Sequence, residues 1–279
     1  MAGVRIVTDS SCDLSAEEAA ALGIEIVPLS IRFGNEEYVD REELSVEDFY
    51  AKLRTSDSLP ETSAPSPGAF LERFNKLRSE GADAVVCINI SRDLSATMEA
   101  AQQAARQLEG EFDVRVIDSR SITAGLGTQV IHAAEAARSG ASADEIAELV
   151  AGLIERTHVL GSLDTLEYLK KGGRIGGAQA LIGSMLSIKP ILDISSGAVE
   201  EAGKQRTRKK ALLAMRDRML ESGPISDLAV YHADAKDLDD FIAMVREVLP
   251  DTTMRVGLIG AVIGTHGGPG TMGVCWLSG

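Results

Sequence analysis

The strongest constraint on how this chain folds is a repeated order of elements in its first half. A short β-branched run is followed by a turn bearing a hydroxyl, and the turn opens an amphipathic helical stretch. Val4–Thr8 leads through Asp9-Ser10-Ser11-Cys12-Asp13-Leu14 into an Ala-rich helix from about Ser15. Ala84–Ile90, too short for a confident helix and bounded by turn signals, leads through Ser91–Ser95 into helix as far as about Leu108. Val114–Ile117 ends at Asp118-Ser119 and leads towards a helix at about Leu126–Ala137. Strands spaced by helices imply crossover connections, and hence a mostly parallel sheet with helices on its faces.

Between these units, Ile24–Phe33 reads as extended chain broken by Pro28, and Ser45–Leu53 as a helix with a capping hydroxyl. Pro60–Pro67 holds three prolines and three hydroxyls, which bars helix or central strand and predicts an ordered turn or loop; Pro67 then starts another helix. The second half is less regular. Val159–Leu163, Lys189–Ile194, Leu228–His232 and Met254–Ile259 read as strands, and Thr207–Glu221 and Asp237–Val248 as helices. Ala198–Ala202 suits local pairing with the strand before it, and Val262–Ile263 and Val274–Leu277 bracket a glycine loop that hints at antiparallel pairing. At 279 residues the chain suits two domains. The expected fold class is α/β: a mostly parallel N-terminal sheet domain at 1–156, ending with the helix Glu145–Arg156, and a mixed-sheet C-terminal domain at 157–279.

Charge narrows the partners. With 28 basic and 42 acidic residues the net charge is −14, a field that repels nucleic acid and anionic membranes, and 4% aromatic residues leave few stacking platforms. No stretch approaches the roughly 20 apolar residues of a transmembrane helix, and an acid at position 9 interrupts any secretory signal. Cys12, Cys87 and Cys275 are odd in number and far apart, so neither a disulfide framework nor a metal site is expected, and the cytoplasm is the simplest compartment.

Self-contained chemistry has little support. There is no GxxxxGK[ST] loop, no HExxH and no GxSxG, and Val130 stands where a dinucleotide fingerprint starting at Gly125 needs glycine. The hydroxyl turns admit two readings. Ser, Thr and Asp are good helix caps, and helix N-termini at the carboxyl edge of a parallel sheet also attract anions. Clustering makes the second competitive for Ser95; the charge of Asp9 argues against it there. His132 and His158 read as structural and His232 as undecided, whereas His266 stands in Gly264-Thr265-His266-Gly267-Gly268-Pro269-Gly270, where glycines permit close backbone approach. Two basic clusters, Lys170–Arg174 and Lys204–Lys210, interrupt the acidic chain; a solvated face is the bland reading, and docking of an acidic protein or phosphate the sharper one.

These turns, in this order, resemble the DegV family of bacterial fatty-acid-binding proteins, the lipid-binding subunit (FakB) of fatty acid kinase. The resemblance runs through Thr8-Asp9-Ser10, Thr62-Ser63-Ala64-Pro65-Ser66, Leu94-Ser95-Ala96-Thr97, Leu163–Ile175, Lys189-Pro190-Ile191, Lys204-Gln205-Arg206-Thr207 and Gly264–Gly270, nearly the whole chain. It implies one long-chain fatty acid, such as palmitate, stearate or oleate, in a tunnel between the domains. By matching motif, Thr62 and Ser95 would bond the carboxylate, with Ser63 and Ala96 beside them and His266 reaching in from the second domain. Arg174 and Arg206 would serve partner docking or the phosphoryl-transfer site. The family's partner kinase (FakA) would bind ATP and magnesium and make the acyl phosphate, so this chain would need no cofactor or metal of its own and would not itself be the enzyme. Ala96 stands where the family usually has glycine, Ala64 where glutamine is common, and Gly267 where threonine is frequent.

Physical logic runs the same way. A tail of roughly sixteen carbons supplies on the order of 10 kcal/mol before binding costs, while a buried carboxylate needs hydroxyls and N–H groups around it. The runner-up from the residues alone is a stand-alone hydrolase or phosphotransferase with His266 as general base.

Overall fold

The computed structural model describes residues 3–56 and 58–279. The first strand, β1 (Val4–Asp9), ends in a short 3-10 turn, and α1 (Ala16–Leu22) follows. Ser15 caps α1 and Glu18 returns the bond to the cap backbone, so two orphan donors are satisfied at once. Next come β2 (Glu25–Val27), β3 (Ser30–Phe33), β4 (Glu36–Val39), α2 (Val46–Thr55) under its Ser45 cap, and β5 (Glu61–Ser63). Pro67 opens α3 (Pro67–Ser79), where a missing N–H costs nothing. The run β6 (Ala84–Asn89), α4 (Thr97–Arg106), β7 (Asp113–Asp118), α5 (Thr123–Arg138) and α6 (Ala143–Arg156) completes this half.

Strands β2, β1, β6 and β7 form a parallel sheet in that order, as the alternation of strands and helices requires. The segment 60–67, expected as ordered turn or loop, contributes β5, which pairs antiparallel with β3. Proline forbids only the positions it occupies, and β5 is an edge strand lying between Pro60 and Pro65.

The second half runs through β8 (Thr157–Ser162), α7 (Glu167–Lys171), a 3-10 segment at Gly176–Ser187, β9 (Lys189–Asp193) and β10 (Glu200–Gln205). It continues with α8 (Arg208–Glu221), β11 (Ile225–His232), α9 (Leu238–Val248), β12 (Met254–Leu258), α10 (Ala261–Gly267) and β13 (Met272–Ser278). The sheet order is β10-β9-β8-β13-β11-β12, with only β11–β12 parallel. The chain is thus an α/β protein of two domains, one with a parallel sheet and one with a mixed sheet. Val262–Ile263, expected to pair with Val274–Leu277, instead lie in α10, while β13 inserts between β8 and β11 at the centre of the sheet. Two apolar residues are too few to show a period, so pattern alone did not distinguish strand from helix there.

Apolar cores fill both faces of the parallel sheet and the α8/α9 face of the mixed sheet. The remaining core crosses between halves: Leu29, Phe33 and Phe49 pack in one cluster with Val159, Leu166 and Ile259. Polar stitches reinforce it. Tyr50 Oη donates to Ile259 O at 2.8 Å, and Ser91 Oγ to Gly197 O at 2.6 Å. Among the described residues no helix is long and apolar enough to cross a membrane.

Candidate functional site

Thr62 is the middle residue of β5, opposite Ile31 of β3. Strand alternation turns neighbouring side chains to opposite faces, so Thr62 points inward while Ser63 is exposed. His266 comes from the last turn of α10, and its Nε2 lies 2.9 Å from Thr62 Oγ1. The ring can sit there because residue 172 is glycine: a Cβ at that position would fall 2.2 Å from His266 Nδ1. Ser95 stands on the turn after β6, its Oγ 2.8 Å from Thr97 Oγ1 and accepting from Thr97 N at 3.3 Å. Arg174 Nε donates to Leu94 O at 3.1 Å and its Nη1 to Gly172 O at 2.7 Å, which ties the guanidinium to the same turn.

Thr62, Ser95, Arg174 and His266 line one cavity between the two halves, with about 840 Å³ of space between protein atoms, part of it open to solvent. Most of the remaining wall is Leu, Ile and Val, from Leu29 and Ile90 on one side to Val159, Leu192 and Ile194 on the other. The site is therefore a greasy cavity with its polar groups drawn from an edge strand, two separate turns and one helix end.

Burial, and then the charge of Arg174, push the His266 pKa down to about 4. The imidazole is neutral at ordinary pH, and its buried Nδ1 has no hydrogen-bond partner. Arg174 lies within ion-pair distance of no carboxylate among the described residues. In a chain of net charge −14, an unpaired cation and two hydroxyls in the wall of an otherwise apolar cavity suit an anionic head group on an apolar body.

The other expected residues lie elsewhere. Ser63 and Ala96 are exposed and do not line the cavity; strand alternation accounts for the first, and Ala96 sits at the outer end of α4. Arg206 is exposed, just after β10. Arg174, expected on a docking surface, lines the cavity itself. The turn at Thr8–Ser11 serves the fold: Asp9 is buried and accepts from Ser11 N, Ile90 N and Asn89 Nδ2, so it is satisfied by its own protein. Ser119 likewise bonds Ser121 O. Gly172, beside the His266 ring, and Thr271, in the cavity wall, escaped sequence reasoning, although the glycine pair in Lys170–Arg174 was a signal of close approach. The described residues hold no cluster of His, Cys, Asp or Glu that could bind a metal.

Comparison with known proteins gives the family and the fold. A family model described as "Uncharacterised protein, DegV family" matches residues 3–279. The chain belongs to the DegV family. A DegV domain-containing protein of Deinococcus radiodurans is 38% identical over 276 residues, 97% of each chain. Among solved structures, a fatty-acid-binding DegV family protein from Thermus thermophilus superposes with a TM-score of 0.89 at 33% identity, covering 99% of both chains. A stearic-acid-binding protein from Eubacterium ventriosum superposes with a TM-score of 0.90 at 26% identity, covering 99% of this chain and 98% of the other. The cavity between the halves of this DegV chain thus lies in a fold shared with the fatty-acid-binding proteins of Thermus thermophilus and Eubacterium ventriosum.

Proposed function

We propose that this DegV protein binds one long-chain fatty acid, such as palmitate, stearate or oleate, and presents its carboxylate to a partner kinase that uses ATP and magnesium to form an acyl phosphate. The observation that carries the reading is the meeting of Thr62, Ser95, His266 and Arg174 at a polar patch in an otherwise apolar cavity. Thr62 and Ser95 hydroxyls donate to the carboxylate, Arg174 compensates its charge, and neutral His266 fixes the orientation of Thr62. Burial of the tail supplies affinity at about 0.8 kcal/mol per methylene, so the head group is free to serve position. A carboxylate held still reaches an incoming γ-phosphate without first losing its rotational freedom. Exposed Arg206 is the group on this chain best suited to meet the kinase or its phosphates.

A stand-alone hydrolase or phosphotransferase fits less well. A general base is most useful with a pKa near the working pH, and His266 at about 4 is two to three decades too weak a base. The test uses the delipidated protein. Native mass spectrometry after addition of palmitate should show a one-to-one complex, and acyl phosphate should form only when a kinase of this class, ATP and magnesium are added. No uptake of fatty acid would end the proposal; turnover by this chain alone would transfer it to the enzyme class.

A further inference from the structure

The floor of the cavity carries two bare positions. Gly161 in β8 and Gly273 in β13 are direct partners in the antiparallel pairing, and both line the cavity. Their cross-strand row continues to Leu192 of β9 on one side and to Tyr231 of β11 on the other, then to Gly257 of β12.

Neither paired glycine is demanded by its own backbone or neighbours. Neither lies in the left-handed region, and an added Cβ would meet nothing nearer than 3.8 Å at Gly161 or 3.5 Å at Gly273. Gly257 shows the contrast: its Cβ would fall 2.7 Å from the Tyr231 ring, so that ring leans over β12 and away from the pair. Glycine inside a strand weakens it, and two side by side at the centre of a sheet do so twice. What their missing side chains leave is space, and the space belongs to the cavity.

We propose that Gly161 and Gly273 form the chain gauge of the tunnel. The acyl chain lies directly against the β8 and β13 backbone there, and the absence of two side chains determines how long a chain can pass. Leu192 borders the bare floor on the β9 side, and Val159 borders it along β8. The inference rests on the fatty-acid reading above and assigns its length specificity to two positions that are not among the four head-group residues.

The experiment measures dissociation constants of delipidated wild type, G161A, G273A, G161V and G273V for saturated acids from octanoate to stearate. In the wild type affinity should rise with chain length, by about fourfold for each further methylene buried. In the valine variants the rise should stop at a shorter acid, with stearate weakened by at least about tenfold and the shortest acids unchanged. Alanine should move the same plateau by a smaller step. A plateau at the wild-type length, or a uniform loss at every length, overturns the gauge. Should the valine variants fail to fold, an unmoved plateau in the alanine pair overturns it equally. Wild type that binds none of the acids instead sinks the fatty-acid reading, an outcome distinct from failure of the gauge.

Discussion

Thr62 and His266 stand 204 residues apart in the chain, yet Thr62 Oγ1 and His266 Nε2 lie 2.9 Å from each other across the two halves of the protein. The contact joins an edge strand of the first half to a helix end of the second, so it reports on the packing of the two halves as well as on the site.

Thr62→Ala and Ser95→Ala should each weaken binding of a fatty acid more than binding of the matching alcohol. Hydrogen bonds to charged groups are worth roughly 1.5–3 kcal/mol, which corresponds to about ten- to a hundredfold in affinity. Calorimetric titration with palmitate and hexadecanol measures the difference. Equal losses for both ligands would remove these hydroxyls from the head-group site.

Proton NMR titration should find the His266 imidazole ionising near pH 4, far below its ordinary 6.5. The unfolded chain takes up this proton as pH falls through 6.5, whereas the folded protein refuses it until about 4, so the folded state loses stability across that window. Asp13 acts in the opposite direction, because burial raises its pKa to about 6 and the folded state protonates first. Denaturant unfolding of wild type against His266→Asn isolates the histidine: the stability difference between them should shift against wild type from pH 6.5 to 4. A pH-independent difference would show that the ring is solvated.

Arg174→Gln should raise the pKa of His266, since the guanidinium charge is one of its two depressing causes. It should also reduce the preference for carboxylate over alcohol, because the variant retains hydrogen-bonding capacity without charge. The NMR titration and the two-ligand calorimetry read both effects on one sample. An unmoved imidazole titration would separate Arg174 from the site.

Gly172→Ala should displace the His266 ring, because the new Cβ would fall 2.2 Å from Nδ1. Forcing a methyl into a filled site costs about 1–3 kcal/mol, and the loss of the Thr62 contact should accompany it. Thermal unfolding and palmitate affinity should both fall. A variant with wild-type melting and binding would mean that the ring adjusts freely.

Much of the fold was legible locally. Ser15, Ser45 and Ser66 each precede a helix and each accepts from the N–H three residues on. The run Ala84–Ile90 became the fully buried β6, because only a strand between two covered faces is apolar on both sides. Failures came where the deciding contact was distant. Glu61–Ser63 is a strand because β3 lies beside it, and Val262–Ile263 are helical because β13 pairs with β8 and β11 instead. Within the site, Ser63 was expected beside Thr62 on motif alone, although strand alternation turns it to solvent.

By itself the sequence determined which segments are strands and helices across most of the chain, some of the hydroxyls that cap them, and which residue types were available for a head group. Those properties depend on neighbours within a few positions, where periodicity and capping act. The tertiary structure alone decided that Arg174 turns inward, that Gly172 makes room for His266, and that Gly161 and Gly273 face each other beneath the channel. Packing between elements far apart in the chain sets those relations, and no local spacing encodes the distance between two side chains on different domains.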